Sequence, residues 1–291
     1  MPRGLDHLVH AVHDLDKARA VYERLGFTLT PEARHPFGTK NSLVQLDGCF
    51  LELLAIADTG AFPEEEAGAF SFPGFNAGFL DRHEGISMLA LESEDAADDR
   101  AAFAEANLRT YRPFEFGRDA RQPDGSTGRV GFKLTFTSAP EIPGEAFFTC
   151  QHLAPDLFWK DEYREHANTA GTIREVMMVA EKPNAHWAFF EAFVGTDDVK
   201  ETDTGILIDT GRGAIRVDEP GAVAESWGTA IDVKQYDTPR FAGYVIGVGD
   251  MEKAGAALEG GGIEHFSIGD RLVVPDQQAF GAAIAFEPVG G

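Results

Sequence analysis

At 291 residues, the chain is long enough for about two domains on a rule of roughly 150 residues each. Its net charge of −23 opposes counterion release on nucleic acid and attraction to anionic lipid, so neither is expected as a partner. Two cysteines make neither a disulfide framework nor a cysteine-rich zinc site; with no apolar run of about 18 residues and no apolar core in Met1–His7, a soluble, cytoplasmic protein is expected.

Leu5 to Val12 is a short apolar run fit for a strand. Asp14 then caps a helical pattern of Leu15, Ala18, Val21, Tyr22 and Leu25, stopped by Gly26. Strand-prone runs follow at Phe27–Thr30, Ser42–Leu46 and Cys49–Ile56, the last two joined by the hairpin dipeptide Asp47-Gly48. The Phe- and Gly-rich stretch Phe70–Phe79 reads as a packed connector, with a mobile lid as the alternative. A second unit has a strand at Gly85–Leu91 and a helix opened by Asp95. Its further strands are at Tyr111–Phe116, Val130–Phe136 and Ala146–Gln151. The same interval separates Asp14 from Asp95 and Tyr22 from Phe103, as a repeat requires. A third unit starts at Thr172–Ala180 with a helix from Asn184. A fourth starts at Gly243–Val248, and its Asp250-Met251-Glu252-Lys253-Ala254 echoes Asp14-Leu15-Asp16-Lys17-Ala18.

A β-α-β-β-β unit has one helix for four strands, so only one face of its sheet is covered and the other must curl against a neighbour. Two units enclose a cleft; four make two clefts. The fold class expected is α+β, with four βαβββ modules paired into two curved mixed β-sheet half-barrels. The expected division is 1–155 for the first pair, 156–170 for a docked connector, and 171–291 for the second pair.

Leu5-Asp6-His7-Leu8-Val9, the helix start Asp14-Leu15-Asp16-Lys17-Ala18, His35-Pro36-Phe37-Gly38-Thr39-Lys40-Asn41 and Phe50-Leu51-Glu52-Leu53-Leu54 follow one another in the first module. In these stretches the sequence resembles the glyoxalase-like branch of the vicinal oxygen chelate superfamily. Ala146–His152 is similar to the closing strand of that domain. The resemblance implies the fold of glyoxalases and dihydroxybiphenyl dioxygenases, and one divalent metal at the cleft floor that chelates neighbouring oxygens of a substrate. It also implies metal ligands on the first and last strands of paired modules, where His7 and Glu52 stand.

Alternation along neighbouring strands turns His7 and Glu52 to one cleft. Imidazole plus carboxylate suits Fe, Zn, Mn or Ni. The repeat places Met88 where His7 stands, so the third ligand is sought on the last strand, where His152 would complete a two-His-one-carboxylate set. A satisfied core histidine is the alternative for His152. In the loop after the first helix, Thr39 and Asn41 are substrate-orienting groups and His35 a proton carrier near neutral pH, or else the stretch is a capped turn whose Thr39 and Asn41 satisfy their own backbone. Phe50, Phe148 and Cys150 are expected to line an apolar substrate cleft, Cys150 as a small buried side chain. In the second half Glu175 falls near the His7 position, Gly243 stands there in the fourth unit, and Ala285 replaces the carboxylate. A structural or dimer-forming role is expected for that half.

The expected function is a divalent-metal-dependent enzyme acting on a small, partly apolar molecule with vicinal oxygens, by isomerase, lyase or dioxygenase chemistry. The alternative is a metal-free protein that sequesters a small molecule, of the bleomycin-resistance type. The partners expected are a small-molecule substrate and a second copy of the chain as a homodimer.

Overall fold

Four modules each run strand, helix, three strands. In the computed structural model, which describes residues 2–121, 127–235 and 238–289, the first module is β1 (Leu5–Ala11), α1 (Leu15–Arg24), β2 (Ala33–Arg34), β3 (Thr39–Gln45) and β4 (Phe50–Ile56). Helix α2 (Phe72–Leu80) leads to β5 (Gly85–Glu92), α3 (Ala96–Glu105), β6 (Phe114–Arg121), β7 (Thr127–Thr137) and β8 (Ala146–His152). The short helix α4 (Pro155–Phe158) precedes β9 (Ala170–Val179), α5 (Trp187–Val194), β10 (Val199–Glu201), β11 (Gly205–Asp209) and β12 (Ala214–Asp218). Helix α6 (Pro220–Trp227) leads to β13 (Arg240–Val248), α7 (Met251–Gly260), β14 (Phe266–Ile268), β15 (Arg271–Val274) and β16 (Ala283–Pro288).

These strands form two mixed eight-stranded sheets of the α+β class, ordered β2-β3-β4-β1-β5-β8-β7-β6 and β10-β11-β12-β9-β13-β16-β15-β14. In each, the first strands of the paired modules run antiparallel side by side, β1 with β5 and β9 with β13. The last strand of each module lies parallel to its own first strand. Two modules are thereby related by a local twofold, and the first strands and last strands meet at the middle of the sheet.

The repeated aspartates act as helix caps. Asp14 accepts from the amide of Lys17, Asp95 from those of Ala97 and Asp98, and Asp250 from those of Glu252 and Lys253. The third module lacks such a cap; α5 follows a 3-10 turn at Pro183–His186 and ends on left-handed Gly195. Asp47-Gly48 makes the tight β3–β4 turn, with Gly48 at φ 73 and the Leu46 amide donating to the Cys49 carbonyl.

Two expected strands differ. Phe27–Thr30 is not a strand; β2 is only Ala33–Arg34. Phe27 and Leu29 are apolar because they enter the core shared with the second half, where the Phe27 ring lies 6.0 Å from that of Phe286. Likewise β6 begins at Phe114, not Tyr111, whose ring meets Phe70 edge-on at 5.3 Å.

One core joins the halves. It collects residues from one face of each sheet (Leu8, Leu53, Leu89 and Phe147; Val176, Ile208, Ile246 and Phe286) with residues of α1, α3, α5 and α7 between them. The opposite face of each sheet holds its own smaller core. At the centre of the shared core His10 Nε2 donates to the Phe280 carbonyl at 2.9 Å, so its Nδ1 must accept. The Tyr22 hydroxyl donates to that Nδ1 at 2.9 Å and in turn accepts from the Tyr244 hydroxyl at 2.8 Å.

Burial pushes His10 from 6.5 down to about 4. The folded protein therefore resists protonation that the unfolded chain accepts: this contribution is fully present above about pH 6.5 and is lost as pH falls toward about 4, up to about 3 kcal/mol. Urea midpoints at about pH 7 and about pH 4.5 check this, because His10→Gln should flatten the difference. An equal acid loss in the variant would remove His10 as its cause.

Candidate functional site

The free face of the first sheet carries Val9, Leu43, Phe50, Met88, Ala90, Phe132, Leu134, Phe148 and Cys150, which build an aromatic-rich cleft core. His7 and Glu52 both reach this cleft, as alternation requires. An irregularity in the β1–β5 register between Leu5 and His7 adds a third group. Strict alternation would send Asp6 to the opposite face; instead its Oδ2 lies 2.5 Å from His7 Nδ1.

His7 is held on every side. Its ring stacks on Phe50 at 4.3 Å between centroids and meets Phe148 edge-on at 5.2 Å. With Nδ1 bound to Asp6, Nε2 is left facing Glu52, whose Oε2 is 3.8 Å away. Asp6 is itself shared, since His152 Nε2 lies 3.1 Å from its Oδ1. Burial alone would raise the Asp6 carboxyl, but the charge and hydrogen bonds of His152 and His7 hold it well below the usual carboxylate range.

Glu52 is short of positive charge. Burial pushes its carboxyl up, against the opposing pull of His7, Asn41 and Arg118. Asn41 Nδ2 donates to its Oε1 at 2.6 Å and also reaches His35 Nε2 at 3.3 Å, while Asn41 Oδ1 is buried without a partner. His35 Nε2 is thus the acceptor and Nδ1 donates to the Thr39 hydroxyl at 2.7 Å. Burial, reinforced by the Arg118 charge, pushes His35 down to about 3. It is a neutral imidazole at neutral pH, which argues against a proton carrier titrating in its ordinary range. The turn that carries His35 into β3, where Thr39 and Asn41 stand, is made at Gly38, φ 86, whose carbonyl accepts from the amides of Ala57 and Asp58; a side chain there would strike the Asp58 carbonyl.

Of the expected site residues, His7, Glu52, His35, Asn41, Phe50, Phe148 and Cys150 line one chamber, and Thr39 supports it from behind. His152 is brought to Asp6 and not to Glu52, and its Nδ1 is buried without a partner. Register explains why. Glu52 pairs with Val9 in the first module, and the matching residue of the second, opposite Ala90, is Phe148; His152 lies further along the strand. Met88 and Ala90, opposite Val9 and His7 on β5, give the ion nothing to bind. Burial pushes the Cys150 thiol well up, so it is protonated as it stands. Asp6, His7 and Cys150 nonetheless offer ligand atoms within 4.8 Å of one another, the one such group among the described residues.

Sequence reasoning missed Asp6 and Arg118. The register irregularity hid Asp6. Arg118 had a signal: it alternates with Phe114 and Phe116 on β6, and Phe116 and Arg118 both line the chamber.

The chamber is small, a cavity of about 40 Å³ walled by seven phenylalanines including Phe37, Phe72, Phe116 and Phe158. The Phe70–Phe79 stretch is helical from Phe72 and packed, with Phe72 and Phe79 buried. The corresponding space in the second half is partly filled, leaving a groove of about 410 Å³ lined by Glu175, Met177, Arg216, Trp227 and Arg271. Val223 and Trp227 of α6 pack there on Met177, Val179, Val245 and Ala285. Glu175 is paired to Arg216 at 2.9 Å, and Glu287 to Arg174 and Arg271 at 2.8 and 2.7 Å.

A glyoxalase-like domain model matches residues 5–193, more than half of the chain and all of the first sheet. The chain belongs to the glyoxalase-like domain family. It is thereby a protein of the vicinal oxygen chelate superfamily, and solved structures agree on the fold across its whole length. A hypothetical protein from Staphylococcus aureus is 14% identical with TM-score 0.70, over 98% of this chain and 99% of that one. A mutant of 4-hydroxymandelate synthase from Streptomyces coelicolor is 10% identical with TM-score 0.60, over 100% and 94%. A xylose isomerase-like TIM barrel/4-hydroxyphenylpyruvate dioxygenase fusion protein is 14% identical with TM-score 0.56, over 100% and 50%. At such identities these likenesses speak for the fold alone. No curated protein matches the sequence. Within this glyoxalase-like protein, the first cleft gathers histidines and carboxylates, whereas the carboxylates of the second are paired with arginines beside Trp227.

Proposed function

We propose that the first cleft is the active site of a divalent-metal-dependent enzyme of the vicinal oxygen chelate type. Its substrate is a small, partly apolar molecule with neighbouring oxygens, transformed by isomerase, lyase or dioxygenase chemistry. The observation that carries this reading is the facing pair of His7 Nε2 and Glu52 Oε2, 3.8 Å apart, with His7 fixed from behind by Asp6. A carboxylate on the far nitrogen of a ligating imidazole sets its tautomer and orientation and raises its basicity.

The residues fit such an ion. Imidazole and carboxylate suit Fe, Zn, Mn or Ni, and a cation beside Glu52 would relieve a buried carboxylate that its neighbours only partly compensate. His7 and Glu52 would hold it, with Asp6 and His152 orienting His7. When bound, the ion supplies Lewis acidity toward two adjacent substrate oxygens. The Phe walls exclude water from that floor, and Asn41 keeps the carboxylate in place. In this reading 1–155 is the catalytic unit, 156–170 its connector, and 171–291 a structural half.

Asp6→Asn is expected to weaken metal binding by about 10–100-fold while leaving the ligands in place. Competition with a chromophoric chelator reads this directly, and unchanged affinity would remove Asp6 from the site. Met88, Ala90 and Phe148 favour a second reading, a metal-free cleft that sequesters a small molecule, because they stand where the paired module would supply ligands. Ligand binding that survives exhaustive chelation would select it.

A further inference from the structure

The chamber does not end at its Phe walls. Leu43, Arg118 and Phe158 line both it and an outer groove of about 520 Å³, which runs past Pro31, Glu32, Arg34, Lys160 and Tyr163. Arg118 thus stands at the junction of a small inner space and a large outer one. It is the one lysine or arginine among the described residues lining the inner chamber. Its Nε is buried without a hydrogen-bond partner, and no ion pair joins it to Glu52 among the described residues. A desolvated guanidinium with an unused donor is costly to leave empty and well suited to a planar anion.

We propose that Arg118 anchors the carboxylate of an anionic, aromatic substrate, whose ring lies toward the outer groove at Leu43 and Phe158. This rests on the first cleft being the small-molecule site and names its ligand class; it does not require the ion. The inner space holds no more than a few waters, so it takes an oxygen-bearing headgroup and leaves the bulk of the molecule in the groove. Glu52 compensates the guanidinium only at a distance, without an ion pair; a ligand carboxylate adds the direct contact that a neutral ligand of the same shape cannot, so charge, more than shape, sets selection at this point.

The test compares benzoate with benzamide, which differ in charge far more than in shape, by calorimetry on the full-length protein with and without chelator. Wild type is expected to bind benzoate at least ten-fold more tightly than benzamide. Arg118→Gln should erase that preference in chelator-treated protein without altering the thermal midpoint, and Arg118→Lys should retain part of it; the comparison is made without metal because Arg118 also acts on Glu52. Equal binding of the two probes, no binding of either, or a preference that persists in Arg118→Gln overturns the proposal. A benzoate preference that depends on Arg118 in protein that holds no metal even without chelator would sustain it and sink the metal-dependent reading instead.

Discussion

His7→Ala is expected to take the protein from one equivalent of tightly held divalent metal to none, and Glu52→Gln to weaken binding by 100-fold or more on the order of a lost charged ligand. The two residues approach to 3.8 Å from different strands, and His7 is clamped between Phe50, Phe148 and Asp6. Elemental analysis after dialysis against limiting metal checks both. Cys150→Ser is the informative companion, because Asp6, His7 and Cys150 also lie close enough to share an ion. Metal kept in Cys150→Ser and lost in His7→Ala places the ion on the Glu52 side. Metal lost in both variants would move it to the Asp6–His7–Cys150 group, and metal retained in His7→Ala would remove both placements.

Trp227→Ala is expected to cost about 3–5 kcal/mol, since a fully buried indole leaves a cavity that its neighbours cannot fill. The thermal midpoint should fall on the order of 10 °C. The reason lies in what each half does with the space between its modules. In the first, the space under α2 is a chamber edged by His7, Glu52 and Arg118. In the second, α6 drives Trp227 and Val223 into the equivalent place and the charged residues pair off with arginines. Metal content of the variant should be unchanged. A stability loss below about 1 kcal/mol would show that the second cleft is not a packed core, and a loss of metal at unchanged stability would show that the second half takes part in the site.

The module order was legible because several levels agreed: an apolar strand, an aspartate cap, a helix stop and a hairpin dipeptide follow one another in the first module, and the strand with its aspartate cap recurs in the second and fourth. Asp14, Asp95 and Asp250 cap helices as their positions suggest. Where the reading failed, tertiary packing had overridden local pattern. Phe27 and Leu29 look like strand residues but serve the core between the halves. At the site, His7 and Glu52 could be placed on one cleft from alternation alone, whereas Asn41, read as a loop residue, stands on β3. Asp6 could not, because only a local break in strand register lets adjacent side chains meet. His152 could be assigned a face but not a level, since counting residues from the helix does not fix how far β8 slides along β5.

The most direct test of the account is anomalous diffraction at the absorption edge of manganese or zinc, from crystals of the wild-type protein grown with that ion. One peak is predicted within bonding distance of His7 Nε2 and the Glu52 carboxylate, with none among Glu175, Arg216 and Glu287 of the second half. No peak in the first cleft, or a peak bound by other residues, would contradict it.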